Sequence, residues 1–509
     1  MKPITVFIFI FLQLHNVNDI NAKSNLHSTV DLKRILRIEK LFIGILDNFV
    51  TSSIRSIHKI KASLRNQIEI SNLSFIGKQK FMIKIRSGLR KLQNYKKRSK
   101  NNFVLILKRN CESMPTLSDV ENIVKRVQLI QRVYNITAAN FVDGKISQTI
   151  RISSKLSLSD CLRIGLTMSG LKFNSFASDW LHTALSRLNQ RKSTFISEQI
   201  DEFKIKSELI SLKKQIIDFH RKDDENFRDI TLKEFVQKFR NGDNDLFEST
   251  HSKILSTFCQ RAQKNKRITA KKLICQYQMK NHPFLKLAPL KTEIYNWDPY
   301  IVVFHDVISN DEIKVIKNIS SNNLLRGKIF NFKTQMGKED ESRISNNYFI
   351  KDDDHPLIKI LNQRVSDMSG LSTEYSEIMQ VGNYGIGGYY GIHHDFFNSD
   401  VKGNSTKKFP QYWLGDRIAT VLFYMSNVKY GGATIWPFIN TSILPKKGSA
   451  VLWFNLYKSG LPNFYTLHSS CPVVIGSKWI LTKWLRSKGQ EFRKPCGLYP
   501  DHDYKFFSN

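Results

Sequence analysis

The sequence predicts an α+β, multidomain protein in which an all-helical N-terminal region precedes a C-terminal β domain. The chain has 509 residues, which suits about three domains of ordinary size. Residues 31–110 carry apolar side chains at helical spacing, with Leu32, Ile35, Leu36 and Phe42 among them. After residue 283 the sequence changes to short β-rich runs separated by Gly, Pro and Asn, which is typical of a sandwich or jelly-roll barrel.

The first 22 residues read as a secretory signal peptide. Lys2 precedes an apolar run over 4–14, and polar residues with a small residue at Ala22 follow. No later segment is apolar for the roughly 18 residues that a membrane span needs. We therefore expect a protein that enters the secretory pathway, where its sequons permit glycosylation. These begin at Asn72, Asn135, Asn318, Asn404 and Asn440.

The helical region continues over residues 115–220. Residues 160–188 resemble an antiparallel helix pair, which suggests one tetratricopeptide-like unit. A polar stretch over 222–244 and a basic stretch over 260–272 then separate the helices from the β-rich part. The strongest strand candidates lie at 301–304, 418–425, 450–456 and 479–484.

The composition excludes collagen-like and low-complexity sequence, since 41% of residues are hydrophobic and only 24% are charged. The net charge of +34 would attract polyanions or acidic partners. A basic stretch from Lys78 to Arg109, interleaved with aromatic residues, could be a nucleic-acid patch. Its regularly spaced apolar residues favour a basic amphipathic helix instead.

The most informative segment spans residues 381–396 and contains a His-x-Asp motif. Residues two apart on a strand project from one face, so His393 and Asp395 could bind one ion while His394 points away. A second imidazole could come from His468 in the β-rich region downstream. Two His and one carboxylate form the facial triad of non-haem Fe(II) oxygenases, with positions open for a co-substrate and O2. Taken alone, the motif also fits polar residues on a solvated strand.

Ten residues after His468, a strand candidate carries Lys478, Thr482 and Trp484 on one face. A lysine buried beside an iron site needs an anion, and the distal carboxylate of 2-oxoglutarate fits because its 2-oxo acid end chelates iron. The alternative for this segment by itself is an exposed lysine on a strand.

These motifs also occur in a recognisable order. From Trp297 to Gly497 the chain resembles the α subunit of collagen prolyl 4-hydroxylase, and weaker similarity continues upstream to about residue 129. The matching segments are NYGIGGYYGIHHD, GDRIAT, FYMSNV, GGATIWP, PKKGSAVLWFN, HSSCP, GSKW and GQEFRKPCG.

The resemblance implies a domain plan. It comprises a signal peptide at 1–22, a helical N-terminal and dimerisation region at 23–140, a tetratricopeptide-like peptide-substrate-binding domain at 141–245, a linker at 246–296 and a double-stranded β-helix catalytic domain at 297–509. Within this plan we expect disulfides Cys259–Cys275 and Cys471–Cys496, with Cys111 and Cys161 left reduced or only marginally paired.

The resemblance also implies site residues and partners. His393, Asp395 and His468 would bind Fe(II), and Lys478 would anchor 2-oxoglutarate. Tyr384, Thr434 and Trp484 match positions that line the co-substrate pocket, and Tyr390 and Arg417 match positions near the substrate peptide. The family reaction couples oxidative decarboxylation of 2-oxoglutarate by O2 to 4-hydroxylation of peptidyl proline in proline-rich, procollagen-like chains, and ascorbate keeps the iron reduced. Family members assemble with protein disulfide isomerase as an α2β2 tetramer in the endoplasmic reticulum lumen.

The sequence departs from the family in its helix pair. Ser169, Asn174 and Ser175 stand where the family's peptide-binding domain presents tyrosines, so we expect weak preference for long proline-rich chains. His394 likewise replaces an aromatic residue. Two other interpretations remain at this point: another lumenal 2-oxoglutarate hydroxylase of the prolyl 3- or lysyl type, and a non-catalytic peptide-binding paralogue. Lysyl hydroxylases typically use Arg as the anchor, so Lys478 favours the 4-hydroxylase.

Overall fold

A computed structural model describes residues 117–152, 156, 158–190, 207–208, 210–211, 244–264, 274–279, 283–331, 336–397 and 412–497. The predicted signal peptide, the helical arm over 31–110, Cys111 and the sequons at Asn72 and Asn404 lie outside these residues. The chain divides into two compact units, Met1–Phe227 and Arg228–Asn509, which are described separately. Within the described residues, no helix is both long and apolar enough to cross a membrane.

The first unit is helical. Its described helices are α1 (Leu117–Tyr134), α2 (Ala138–Val142), α3 (Leu158–Gly170) and α4 (Asn174–Gln190). The packing of α3 against α4 confirms the predicted helix pair. Gly165 permits this contact, because a Cβ there would lie 2.8 Å from Leu181 Cδ2. Trp180 of α4 is fully buried, and its indole N–H donates to Gln131 Oε1 of α1 at 2.7 Å.

The second unit is built mainly from antiparallel strands. A nine-stranded sheet has the order β1-β2-β3-β15-β11-β18-β9-β8-β4, and a five-stranded sheet has the order β14-β13-β16-β10-β7. The strands of the large sheet are β1 (Ile274–Gln278), β2 (Leu290–Trp297), β3 (Tyr300–His305), β4 (Leu325–Arg326), β8 (Asn346–Ile350), β9 (Met379–Tyr384), β11 (Arg417–Tyr424), β15 (Ala450–Phe454) and β18 (Lys478–Arg486). Those of the smaller sheet are β7 (Arg343–Ile344), β10 (Tyr389–His393), β13 (Thr434–Trp436), β14 (Thr441–Ile443) and β16 (His468–Ser470). Two further pairs are β5 (Lys328–Asn331) with β6 (Met336–Glu339), and β12 (Val428–Gly431) with β17 (Val473–Gly476).

The four strand candidates of the sequence are confirmed as β3, β11, β15 and β18, with boundaries shifted by at most two residues. Each is rich in β-branched and aromatic residues, which pack well on a pleated surface. The hydrophobic core combines side chains from both sheets, including Tyr384, Tyr424 and Trp453 from the large sheet and Trp436 and Ile443 from the small one. The space between the sheets therefore holds the side chains that surround the site.

The described residues of the second unit also include three α-helices: α5 (Asn244–Gln263), α6 (Asn310–Ser321) and α7 (Pro356–Ser369). Helix α6 begins with a capping box in which Ser309 and Glu312 exchange hydrogen bonds with each other's backbone. Helix α7 ends at Gly370, whose φ of 71° is a left-handed conformation that glycine adopts without strain. Helix α5 contacts β10, β13 and β14 of the small sheet. Together with β1 and most of β2, α5 occupies the segment expected to be a linker.

The predicted disulfide pairing is wrong. Cys259 of α5 is bonded to Cys471, which directly follows β16. The reason is that α5 packs on the small sheet, whereas Cys275 lies in the edge strand β1 of the large sheet, opposite Glu293 and exposed to solvent. Cys496 is likewise exposed and reduced. Cys161 is buried in α3.

Candidate active site

Two neighbouring strands of the small sheet bring the predicted triad together. His393 ends β10, Asp395 follows two residues later, and His468 begins β16. The antiparallel pairing of β10 with β16 sets His393 directly opposite His468. One ligating atom from each of the three residues lies within 4.8 Å of the others. Within the described part of the chain, these three residues form a group that could hold one metal ion as a facial triad, and this group is called the metal cluster below.

Hydrogen bonds orient both imidazoles for metal binding. His393 Nδ1 lies 2.8 Å from Gly391 O, and His468 Nδ1 lies 3.0 Å from Thr466 O. A carbonyl only accepts, so each Nδ1 carries the proton and each Nε2 presents its lone pair. The Nε2 atoms face Asp395, at 3.9 Å from Oδ1 for His393 and 4.0 Å from Oδ2 for His468. This is the tautomer that a divalent metal requires.

The charge state of the cluster suits a cation. Burial and the neighbouring His468 hold the pKa of His393 well below its usual range, and burial also lowers the pKa of His468. Burial alone raises the pKa of Asp395, but the two imidazoles, Arg417 and a hydrogen bond from Thr420 outweigh it and leave that pKa at about 2. Two neutral imidazoles and one carboxylate therefore face each other at neutral pH.

Contacts with neighbouring side chains hold the three ligands in place. Thr420 Oγ1 donates to Asp395 Oδ2 at 2.7 Å. The ring of Tyr390 stacks on His393 with centroids 3.6 Å apart, and the ring of Trp453 lies 4.8 Å from that of His468. These ring contacts restrict the orientations of the two imidazoles. Neither Thr420 nor Trp453 was found from the sequence.

Lys478 lies in a buried polar cradle at the start of β18. Its side chain is 1% exposed, and its Nζ donates to Ser470 Oγ at 2.8 Å and Thr434 Oγ1 at 3.2 Å. The rings of Tyr384 and Tyr424 lie 5.7 Å from Nζ. Ser470 is two residues beyond His468 on the same strand, so the cradle and the metal cluster face one space. Ser470 was not predicted from the sequence, although its position two residues after His468 could have indicated it.

The Lys478 ammonium has no carboxylate ion-pair partner within the described part of the chain. Burial lowers the pKa of Lys478 to about 7. A buried cation surrounded only by hydroxyls and ring faces favours an anionic ligand, because such a ligand would restore the charge balance. The cradle is therefore suited to binding a carboxylate.

Arg417 lies beside Asp395 and packs on the ring of Trp484. The Arg417 guanidinium forms a bidentate pair with Glu377 at 2.6 and 2.7 Å and donates to Asp395 O at 3.2 Å. It lies 4.2 Å from the Trp484 ring, whose Nε1 is buried without a hydrogen-bond partner among the described residues. Trp484 is opposite Thr420 on β11, six residues along β18 from Lys478. The structure therefore places Trp484 beside Arg417 and not beside Lys478.

Glu377 is a further residue that sequence reasoning missed. Arg486 Nη1 also donates to it at 2.9 Å, so one carboxylate joins two guanidinium groups. Burial raises the pKa of Glu377, but Arg417 and Arg486 outweigh it and the net shift is downward. No local motif surrounds Glu377, and only the fold brings it to these arginines.

His394 does not take part in the metal cluster. Its Nδ1 lies 2.7 Å from Phe396 O, and its ring stacks on Phe396 with centroids 4.1 Å apart. Burial lowers its pKa to about 4, so the side chain is neutral. His394 thus packs on an aromatic ring and lies outside the group of possible metal ligands.

Comparisons with known proteins agree with this geometry. Residues 379–486 match the 2OG-Fe(II) oxygenase superfamily. Prolyl 4-hydroxylase subunit alpha-2 of Gallus gallus is 30% identical over 434 residues, which cover 78% of this chain and 79% of the relative. This chain belongs to the prolyl 4-hydroxylase α-subunit family. The resemblance drawn from the sequence motifs is therefore confirmed.

Other members of the prolyl 4-hydroxylase family match over shorter stretches. Subunit alpha-2 of Caenorhabditis elegans is 42% identical over 238 residues, covering 47% of this chain and 43% of the relative. Subunit alpha-1 of Homo sapiens is 43% identical over 230 residues, covering 45% and 42%. The matched region thus spans less than half the length of these two relatives. Among solved structures, the viral collagen prolyl hydroxylase of Paramecium Bursaria Chlorella virus-1 is 22% identical with a TM-score of 0.30, covering 36% of this chain and 95% of that one.

Proposed function

We propose that this chain is the α subunit of a peptidyl-proline 4-hydroxylase that uses Fe(II), 2-oxoglutarate and O2. The observation that carries the proposal is the shared space between the triad of His393, Asp395 and His468 and the buried ammonium of Lys478. A metal cluster alone would fit many hydrolases and oxygenases. The buried Lys478 near it favours a dicarboxylate that also chelates the metal, and 2-oxoglutarate is the co-substrate of the matched superfamily.

Each side chain has a defined task in this reaction. Lys478, assisted by Thr434 and Ser470, would hold the distal carboxylate of 2-oxoglutarate. His393, Asp395 and His468 would hold iron on one face and leave the opposite face to the co-substrate and O2. When bound, iron and 2-oxoglutarate supply the oxidation, in which one oxygen atom of O2 enters succinate with release of CO2 and the other enters the proline ring.

The surrounding residues orient these groups. Thr420 holds Asp395 through Oδ2, and the Tyr390 ring keeps the His393 imidazole in its plane. Arg417, fixed by Glu377, lies between Asp395 and Trp484, where the unpartnered indole N–H of Trp484 could donate to a peptide carbonyl. We assign Arg417 and Tyr390 to the peptide side of the site. Tyr384 and Thr434 belong to the co-substrate pocket, and Trp484 lies at its boundary with the peptide.

The proposal extends to the finer architecture. The two sheets of the second unit would form the double-stranded β-helix expected for this family, and α3 with α4 would form a tetratricopeptide-like peptide-binding unit. The antiparallel pairing in both sheets and the close α3–α4 packing support this. We also retain protein disulfide isomerase as the β subunit of an α2β2 tetramer in the endoplasmic reticulum lumen, with ascorbate as reductant. The signal-like segment at 1–22 and the Cys259–Cys471 disulfide support an oxidising compartment.

The alternatives differ in testable ways. A non-catalytic paralogue would have no need for three intact ligands and a buried anchor. Prolyl 3- and lysyl hydroxylases share the triad but oxidise a different atom. Mass spectrometry of (Pro-Pro-Gly)-type and non-collagen peptides, incubated with enzyme and co-substrates, separates these cases. We expect one oxygen at C4 of proline and none with His468→Ala. Oxygen at C3 or on lysine would replace the proposal, and no product with any peptide would favour the paralogue.

Substrate length tests the helical unit separately. In this structure Ser169 Oγ donates to Glu208 Oε1 at 2.5 Å, and Asn174 begins α4, so these positions offer polar side chains where an aromatic platform would stack on prolines. We predict that KM for proline-rich repeats falls only weakly with repeat number, because tethering by a separate domain is what rewards length. A variant with Ser169, Asn174 and Ser175 all changed to Tyr should restore the length dependence. A steep fall in KM with length for the unmodified protein contradicts the prediction.

A further inference from the structure

The strand that carries the first metal ligand contains an irregularity. Between β10 and β16, Tyr390 pairs with Ser470 and His393 pairs with His468. The three steps from residue 390 to 393 on β10 thus match only two steps on β16. Strand β10 therefore contains one extra residue, which is a β-bulge. Such a bulge brings His393 opposite His468, but it removes the regular cross-strand partner of a backbone amide at the insertion. A buried amide without a partner would weaken the strand at the residue next to the ligand.

A histidine from outside the sheet accepts a hydrogen bond from this amide. Ile392 N donates to His251 Nε2 of helix α5 at 2.7 Å. Because a backbone N–H can only donate, His251 Nε2 carries no proton and acts as an acceptor. Gly391 makes the approach possible, since a Cβ at that position would lie 2.7 Å from His251 Cε1. The glycine and the bulge together leave room for the His251 imidazole beside Ile392, one residue from His393.

Other contacts of helix α5 hold His251 in this position. Ile254 packs against the pair of Ile392 and Leu467, and these two residues directly precede the ligands His393 and His468. Two turns after His251, Cys259 is bonded to Cys471, three residues beyond His468. Helix α5 therefore contacts strand β10 and the two residues that flank β16, Leu467 and Cys471. It lies outside residues 379–486, which match the oxygenase superfamily.

We propose that His251 is a positioning residue for the metal centre: by accepting the Ile392 amide freed by the β10 bulge, it fixes His393 relative to Asp395 and His468. It does not touch the metal or the substrate. Loss of its acceptor lets the end of β10 move and spreads the His393 imidazole over several orientations. The effect falls on metal affinity, whereas the cradle around Lys478 is built from other strands and is unchanged. This inference rests on the proposed iron centre.

The test measures Fe(II) affinity of the full chain, anaerobically with saturating 2-oxoglutarate, from the visible charge-transfer band of the iron–2-oxoglutarate complex. His251→Leu removes the acceptor and should raise the dissociation constant for Fe(II) at least about tenfold, the effect typical of lost second-shell support. His251→Gln places an amide oxygen near the former Nε2 and should stay within threefold of wild type. His182→Leu, which removes an exposed histidine from α4 of the other unit, is the matched control and should leave the dissociation constant for Fe(II) unchanged.

Two outcomes overturn the proposal: His251→Leu binding Fe(II) within threefold of wild type, or His251→Gln losing as much affinity as His251→Leu. Should His251→Leu fail to fold, Gly391→Ala replaces it, because its Cβ displaces the imidazole while leaving His251 intact. Wild-type affinity in Gly391→Ala is then the refuting result. His393→Ala distinguishes the two proposals. If it leaves Fe(II) affinity unchanged, the iron centre itself is wrong, whereas if it abolishes binding, a null result at His251 rejects only the positioning role.

Discussion

Replacing Lys478 by methionine should raise KM for 2-oxoglutarate and leave metal binding intact. Methionine has a similar length and no charge. Because Lys478 is only 1% exposed, the carboxylate of the bound co-substrate would then be buried without a cation. Its remaining polar neighbours would be the hydroxyls of Thr434 and Ser470. Removing one partner of a fully desolvated ion pair costs about 3 to 5 kcal/mol. At 1.4 kcal/mol per tenfold, this corresponds to an increase of about 140- to 3,700-fold in KM.

Lys483 provides the matched control for this experiment. It is also 1% exposed and lies on the same strand, five residues from Lys478 and thus on the opposite face of β18. Lys483→Met should leave KM for 2-oxoglutarate within about twofold of wild type, even if it alters stability. Succinate release at saturating Fe(II), measured against 2-oxoglutarate concentration, gives both KM values. An unchanged KM in Lys478→Met, or equal increases in the two variants, would refute the anchor.

The same lysine gives a pH dependence whose sign follows from its charge. Lys478 binds a carboxylate only when protonated, and burial lowers its pKa to about 7 in the ligand-free protein. The ratio kcat/KM for 2-oxoglutarate reports groups of the free enzyme. It should therefore be constant below about pH 7 and fall towards tenfold per pH unit above it. Lys478→Met should remove this alkaline decline, and a decline that persists in the variant assigns it to another group.

Three other predictions concern the ligands, the arginine pair and the covalent framework. His393→Ala, Asp395→Ala and His468→Ala should each abolish turnover, because two ligands hold iron weakly; activity above a few per cent at saturating Fe(II) contradicts the triad. Glu377→Gln removes the charge that holds Arg417 and Arg486, and should raise KM for the peptide several-fold while KM for 2-oxoglutarate stays constant; steady-state kinetics with each substrate varied separates the two effects. Peptide mapping without reduction should recover Cys259 linked to Cys471 and alkylated Cys275 and Cys496; a peptide joining Cys259 to Cys275 contradicts the structure.

Local pattern in the sequence was enough to indicate two of the candidate ligands and the strand that carries Lys478. The two-residue period of a strand set His393 and Asp395 on one side, and burial of the apolar run after Lys478 followed from its β-branched and aromatic residues. Both inferences depend on neighbours within ten residues in the sequence. The same is true of the strands β3, β11, β15 and β18, whose composition marks them directly.

The residues that support the site could not be predicted in this way. Glu377, Thr420 and His251 have ordinary sequence surroundings, and each meets its partner only because distant strands and a helix pack together. The cysteine pairing failed for the same reason: Cys275 is 16 positions from Cys259, but β1 and the small sheet hold them apart. Proximity in sequence is a poor guide where a helix joins one sheet and the next strand joins another.

The order of the large sheet has a consequence for synthesis of the chain. Strand β18 is buried along its whole length and lies between β11 and β9, yet it is the last described strand in the sequence. Until residues 478–486 have left the ribosome, β9 and β11 present open apolar edges that can pair with other chains. Pairing across such long sequence separations is slow, so the nascent protein depends on protection from aggregation until its final strand is inserted. A premature stop codon upstream of Lys478 would therefore yield an aggregating chain and not merely an inactive one.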